Sequence, residues 1–175
     1  MTAVQARIFA TAAHAAVGQK RKYTGEDYIT HPIGVVSTLM KHVPDLTDEM
    51  IAAAYLHDVL EDTQVTAAVI MDIFGPEITE YVVGLTDISV PSDGNRAARK
   101  AIDLAHLSRG SAEVHTIKCA DIIHNTSNIV EFGKGFAVVY LYEVKELLRV
   151  LNKADKSIHA AASDLVDSML LYIGS

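Results

Sequence analysis

The sequence predicts an all-α fold, a single domain of about eight to ten helices over residues 1–175. Three observations carry this. Apolar residues recur at three- and four-residue spacing along most of the chain, and no segment sustains the period-two alternation of a strand. Helix breakers are scarce, with 4 prolines and 10 glycines in 175 residues, and alanine is abundant. The periodic stretches are bounded by Ser, Thr or Asp at their starts and by Gly or Pro at their ends.

Taken in order, residues 3–17 form a first helix with Val4, Ile8, Ala12 and Ala15 on one face, stopped by Gly18. A polar loop follows through Thr30. His31-Pro32 then opens a second helix, because proline suits the first helical position, and Ile33, Val36, Leu39 and Met40 form its buried stripe. Thr47 is placed to cap a third helix, with Asp48 and Glu49 complementing its dipole; this helix is expected to run unbroken through His57 and Asp58 to Leu60. Thr66 starts another, ended by Gly75, and Pro76 restarts the chain as far as Leu85. Pro91-Ser92-Asp93-Gly94 is a turn in which Asp93 or Ser92 caps a polar helix over residues 95–107. Ser111 caps a more apolar helix holding Val114, Ile117, Ile122 and Ile123. The two glycines between Glu131 and Gly135 interrupt the pattern, and helices over about residues 136–151 and 156–172 complete it.

Composition narrows the class. Hydrophobic residues make up 50% and charged residues 21%, a globular balance. The net charge of −7 argues against coating a nucleic acid, which requires many cations, but leaves room for a small anion held by a local basic cluster. Lys20-Arg21-Lys22 is such a cluster. One cysteine, Cys119, excludes an intramolecular disulfide and reads as a small buried hydrophobe. The N-terminal segment has no secretory pattern, and no run of about 18 apolar residues exists, so a cytoplasmic protein without a membrane span is expected.

The chemistry concentrates near His57-Asp58-Val59-Leu60-Glu61-Asp62. An unbroken helix here would put His57 and Glu61 on one face, with Asp58 and Asp62 on an adjoining strip. Mixed imidazole and carboxylate groups suit manganese, iron, zinc or magnesium, although a charged helix end also serves solubility alone. Two distant residues add to the pattern. His31 stands where a polar loop meets an apolar face, and Asp121 lies in the apolar segment 116–125. A buried lone carboxylate is costly; a metal, the nearby Lys118 or exposure to solvent would each relieve it.

The order His31, His57-Asp58, Asp121 resembles the HD superfamily of metal-dependent phosphohydrolases. Gly18-Gln19-Lys20-Arg21-Lys22, Gly25-Glu26-Asp27-Tyr28-Ile29-Thr30-His31-Pro32, Leu56 to Thr63, Phe74-Gly75, Gly84-Leu85-Thr86 and Lys118 to Asn125 extend the likeness over residues 3–130. Together they resemble the hydrolase region of RelA/SpoT-type proteins, and specifically the small stand-alone alarmone hydrolases, including the metazoan SpoT-like homologues. The resemblance implies an all-helical HD domain, manganese or another divalent metal as cofactor, and removal of the 3′-pyrophosphate from (p)ppGpp-type nucleotides. It implies His31, His57, Asp58 and Asp121 as metal ligands, and Glu61 with Asp62 as the catalytic acidic pair. Arg21 and Lys22 would flank the base and Asn125 would lie near the ribose, while Tyr140, Arg96, Arg99 and Lys100 fall at the pocket or its phosphate rim.

The chain also departs from that pattern. Ile122 stands where a basic residue is common, Asn128 where a base-contacting threonine is common, and Asp87 follows Thr86 as in the metazoan type. These departures leave the base open between guanine and adenine. Another HD-type nucleotidase, an NADPH phosphatase and a non-catalytic alarmone-binding regulator are the competing readings. His14, His42, His106, His115 and His159 read as surface or satisfied polar residues. His124 reads either as a hydrogen-bond donor to a ligand or as packing. Tyr140, Tyr142, Leu147, Leu148 and Leu151 read as a helix-packing surface.

Overall fold

The computed structural model describes residues 2–22, 24–127, 129 and 134–174. Among them are ten α-helices: α1 (Thr2–Ala16), α2 (Thr30–His42), α3 (Asp48–Leu56), α4 (Val59–Asp62), α5 (Ala67–Phe74), α6 (Pro76–Leu85), α7 (Arg96–Leu107), α8 (Ala112–Thr126), α9 (Lys134–Val150) and α10 (Lys156–Gly174). No strand occurs among the described residues; one isolated bridge joins Lys20 to Asp27 across the 17–29 loop. The all-α expectation and the helix count hold.

Helix α3 is the hub. Ala52, Ala53 and Ala54 are all fully buried, and α1, α2 and α6 pack around it. Alanine makes this feasible, because three successive positions point in three directions and only small side chains let neighbours approach on every side. Helix α8 is the second hub, set against α2, α6 and α10. Its Val114, Ile117, Cys119, Ala120 and Ile122 join the same buried cluster. No helix among the described residues is long and apolar enough to cross a membrane.

Local signals fared well where they are purely local. Thr47 Oγ1 accepts from Met50 N at 3.1 Å and Ser111 Oγ from Val114 N at 3.3 Å, as caps should. Pro76 sits in the first turn of α6, and Gly75 before it takes φ of 83°.

Several expectations are corrected. The Val4 and Ile8 side of α1 faces outward, with these residues 63% and 65% exposed, and Ala6, Ala10 and His14 are buried instead. Close approach to the alanine-rich α3 selects the smallest face of α1, not the most hydrophobic one. Met40 is likewise exposed, and Val35 takes its place in the buried stripe. Asn95, not Asp93 or Ser92, caps α7, its Oδ1 accepting from Ala98 N at 3.0 Å; Asp93 is engaged by Val90 N in the preceding turn. Tyr142 points to solvent. The helix expected to continue to Leu60 breaks at His57-Asp58, where α3 ends and the single turn α4 begins.

Candidate metal centre and adjoining cavity

The break after α3 has an identifiable cause. His57 Nδ1 lies 2.8 Å from the carbonyl oxygen of Ala54, three residues back. The ring thereby competes for a carbonyl that would otherwise serve the helix ladder. Since a carbonyl only accepts, Nδ1 carries the proton, and Nε2 is the nitrogen aimed at the cluster. Asp58 follows with φ −98° and ψ −2° at the N-cap position of α4, its side chain making no capping bond and so left for the cluster.

Four side chains from two helices and this junction converge. His31, at the start of α2, brings Nε2 to 3.1 Å from His57 Nε2, 3.1 Å from Asp121 Oδ1 and 3.6 Å from Asp58 Oδ2. His57 Nε2 is 3.0 Å from Asp58 Oδ2 and 3.8 Å from Asp121 Oδ1. Both histidines and Asp121 are buried, and Asp58 is nearly so. Two imidazole nitrogens and two carboxylate oxygens, all bearing lone pairs, face one another at these distances. Such a set is stable only around positive charge. A proton can supply it: burial disfavours the His57 imidazolium, but Asp58 and Asp121 outweigh that and hold it up at about 9. A divalent cation supplies it better, and the donor set fits one; His31, His57 and Asp58 alone already form a group able to hold a metal ion.

An outer layer holds these groups in place. Lys118 Nζ pairs with Asp121 Oδ2 at 3.0 Å, and Asn125 Nδ2 donates to Asp121 Oδ1 at 2.6 Å. Asp121 therefore takes up Lys118 with one oxygen and faces the histidines with the other. Although burial opposes ionisation, Lys118 and His31 keep its carboxyl well below the usual carboxylate range. Tyr28 donates its hydroxyl to Asp58 Oδ2 at 2.5 Å. His124 Nδ1 lies 2.9 Å from His31 Nδ1, and burial with the charges of His31 and Arg21 lowers His124 to about 4, so the ring stays neutral. His124 thus makes the outer hydrogen bond, but as acceptor and not donor: with the lone pair of His31 Nε2 facing the cluster, His31 Nδ1 carries the proton. Room for it comes from Gly34, where a Cβ would stand 2.0 Å from its Nε2.

The acidic pair sits on the separate turn α4, each carboxylate with its own partner. Glu61 Oε1 accepts from Asp87 N at 2.6 Å. Its outer side is exposed, but partial desolvation, with Asp58 and Asp87 adding to it against the Asp87 N–H, raises the carboxyl to about 7. Asp62 Oδ2 accepts from Gln19 Nε2 at 2.8 Å, and Gln19 in turn meets His14. His14 is 1% exposed, so it is no surface residue, and its Nε2 has no hydrogen-bond partner among the described residues. Among the other histidines set aside, His106, His115 and His159 each bond a backbone carbonyl.

A cavity of about 450 Å³ adjoins the cluster, sharing Lys118, Asp121 and Asn125 with it. Ile122, Leu104 and Leu147 give it apolar walls, and Tyr140 and Lys100 also line it. Arg21 stands at the cluster's edge, its Nη2 3.4 Å from Asn125 Oδ1 and its guanidinium 5.9 Å from the Tyr28 ring. Lys22 is exposed on the same loop. Lys20 pairs with Asp27, and Arg96 with Glu143. Arg99 is not part of the cavity wall, whereas the next residues on α7, Lys100 and Ala101, are. Asn128 lies outside the described residues. Gln19, Tyr28, Gly34 and His14 were not identified as site residues from sequence. The one available signal was Gly34, a glycine inside a helix three residues after His31.

These features define a class: the chain belongs to the HD domain family, whose model matches residues 6–134. Within that class it is similar to the guanosine-3′,5′-bis(diphosphate) 3′-pyrophosphohydrolase MESH1 of Danio rerio, with 30% identity over 153 residues, 86% of this chain and 82% of that protein. A probable guanosine-3′,5′-bis(diphosphate) 3′-pyrophosphohydrolase of Synechocystis is 35% identical over 110 residues, 61% of this chain, but the chain spans only 14% of that longer protein. The fold matches the solved structure of a metazoan SpoT orthologue described as hydrolyzing ppGpp, with a TM-score of 0.83 and 21% identity, covering 96% of this chain and 94% of that one.

Proposed function

We propose that the protein is a metal-dependent 3′-pyrophosphohydrolase of alarmone nucleotides, (p)ppGpp or (p)ppApp, acting as one domain with manganese as its cofactor. The observation that carries this is the convergence of His31, His57, Asp58 and Asp121 at the edge of a cavity large enough for a nucleotide. The activities named for the similar proteins support it.

On this reading His31, His57, Asp58 and Asp121 hold the metal. A divalent ion there would lower the pKa of water and neutralise phosphate charge. Glu61 and Asp62 orient the attacking water and accept its proton; a carboxyl near 7 is a useful base at neutral pH. The water oxygen bonds to the phosphorus on the 3′-oxygen. The bond between that phosphorus and the 3′-oxygen breaks, and the departing oxygen takes up the proton passed on by the acidic pair, giving pyrophosphate and a 3′-hydroxyl. Lys118 and Lys100 offer positive charge along the cavity, Arg21 and Lys22 flank the base, and Asn125, Asn128 and Tyr140 complete the substrate contacts, with Arg99 left to the rim outside the cavity wall.

The test is purified protein with manganese against ppGpp, ppApp and NADPH in parallel, with products separated by chromatography. Pyrophosphate from either alarmone is expected, and Asp58→Ala should lose bound metal and turnover together. Inorganic phosphate from NADPH as the sole product, or no release from either alarmone, would refute the reading.

A further inference from the structure

Asp62 is held at the end of a chain of hydrogen bonds that begins in the core. Its Oδ2 accepts from Gln19 Nε2 at 2.8 Å, and Gln19 Oε1 lies 2.6 Å from His14 Nδ1. The directions are forced. A carboxylate only accepts, so the amide turns its NH₂ to Asp62; the amide oxygen then only accepts, so His14 donates from Nδ1. The other ring nitrogen, Nε2, is buried without a hydrogen-bond partner among the described residues. A leucine or phenylalanine would fill the same space with no orphaned nitrogen, and such an orphan carries a free-energy cost. The ring is retained beside the centre in a second way. It packs on Tyr28, with ring centroids 4.6 Å apart, and Tyr28 donates to Asp58. One buried imidazole therefore braces the arm to Asp62 and the arm to Asp58. Burial lowers the pKa of His14, in keeping with a neutral donor.

We infer that His14 and Gln19 are positioning residues for Asp62, fixing the carboxylate's orientation through the His14–Gln19–Asp62 hydrogen-bond chain. This rests on Asp62 serving in proton transfer, as proposed above. The bonds connect α1, the loop after it and α4, elements 43 residues apart at the Gln19–Asp62 link, so the arrangement depends on the tertiary fold.

Gln19 is only half-buried, so Gln19→Met keeps volume and leaves the core alone. Loss of such a supporting bond is expected to lower kcat by roughly tenfold to a hundredfold, with KM and calorimetric manganese affinity unchanged. In an Asp62→Asn background the same change should cost nothing further, because Gln19 acts through Asp62. His14→Asn, whose amide can donate from the Nδ1 position, should recover turnover that His14→Leu loses. Independently of turnover, nitrogen NMR of the metal-free protein should find the His14 proton on Nδ1. An equal Gln19→Met loss in both backgrounds, or a proton on Nε2, overturns the inference. Failure of the wild type to release pyrophosphate instead refutes the functional reading, and the tautomer still decides the hydrogen-bond chain.

Discussion

At Gly34 a Cβ would lie 2.0 Å from His124 Nε2 and 2.1 Å from its Cδ2, both side-chain atoms of a ring that itself reaches His31. Alanine would raise helix propensity by about 1 kcal/mol, but it could fit only by displacing the imidazole. Overpacking of this kind costs about 1–3 kcal/mol, so the clash should win. Gly34→Ala is therefore expected to lower the urea midpoint and to weaken manganese binding roughly tenfold or more, because His31 loses the group that orients its ring. Adding His124→Ala to Gly34→Ala should restore the midpoint but not the metal affinity. A Gly34→Ala protein that is more stable and binds manganese normally would show that His124 does not orient His31.

Elements reach the site through the loop after α6. Asp103, in the middle of α7, takes Ile88 N at 3.1 Å and Ser89 N at 2.9 Å on one oxygen and Ser89 Oγ at 2.8 Å on the other. One residue upstream, Asp87 N holds Glu61. Removing the carboxylate strands two backbone donors in a partly buried place, and hydrogen bonds to charged groups are each worth about 1.5–3 kcal/mol. Asp103→Ala should thus cost about 2 kcal/mol or more by denaturant titration and slow turnover by loosening Glu61. Asp103→Asn, which keeps an acceptor, should lose less; a change under about 0.5 kcal/mol in Asp103→Ala would rule out this tether. The contrast with what sequence reveals is instructive at this scale. Thr47, Ser111, Gly75 and Pro76 were legible because a cap or a breaker acts within four residues of itself. The break at His57 was not, since it turns on which way one ring points. Nor was the buried side of α1, which is chosen by the shape of α3. That His31, His57, Asp58 and Asp121 belong together was readable from residue types in order, but the contacts of Gln19, His14 and Tyr28 arise only when distant segments meet.

For the molecule as a whole, α8 joins the site to the far end of the fold through a polar seam. There His115, fully buried, meets the carbonyl of Leu107 at 2.9 Å through Nε2 and accepts from Lys153 N at 3.2 Å through Nδ1. Thr116 Oγ1 accepts from Asp155 N at 2.9 Å, and Lys153 Nζ donates to the Gly110 carbonyl at 2.7 Å. The turn before α8 is thereby stitched to the turn between α9 and α10. This geometry requires neutral His115 with its proton on Nε2; a second proton would face the Lys153 N–H. Burial foremost, with the nearby charges of Lys153 and His159, lowers its pKa below the ordinary 6.5. The sign follows from linkage. Below pH 6.5 the unfolded chain binds a proton that the folded chain refuses, so this contribution is complete above 6.5 and is lost as pH falls. Glu61, raised to about 7, works in the opposite direction between its ordinary 4.5 and 7, so the total slope alone is not diagnostic. The difference between variants is. Urea unfolding of metal-free protein at pH 7.5 and 5.5 should show a smaller acid-side loss in His115→Gln than in wild type. The variant's amide keeps polar character at the seam without a titrating ring. Equal pH dependence in the two proteins would mean that His115 accepts its second proton in the folded state without breaking the seam.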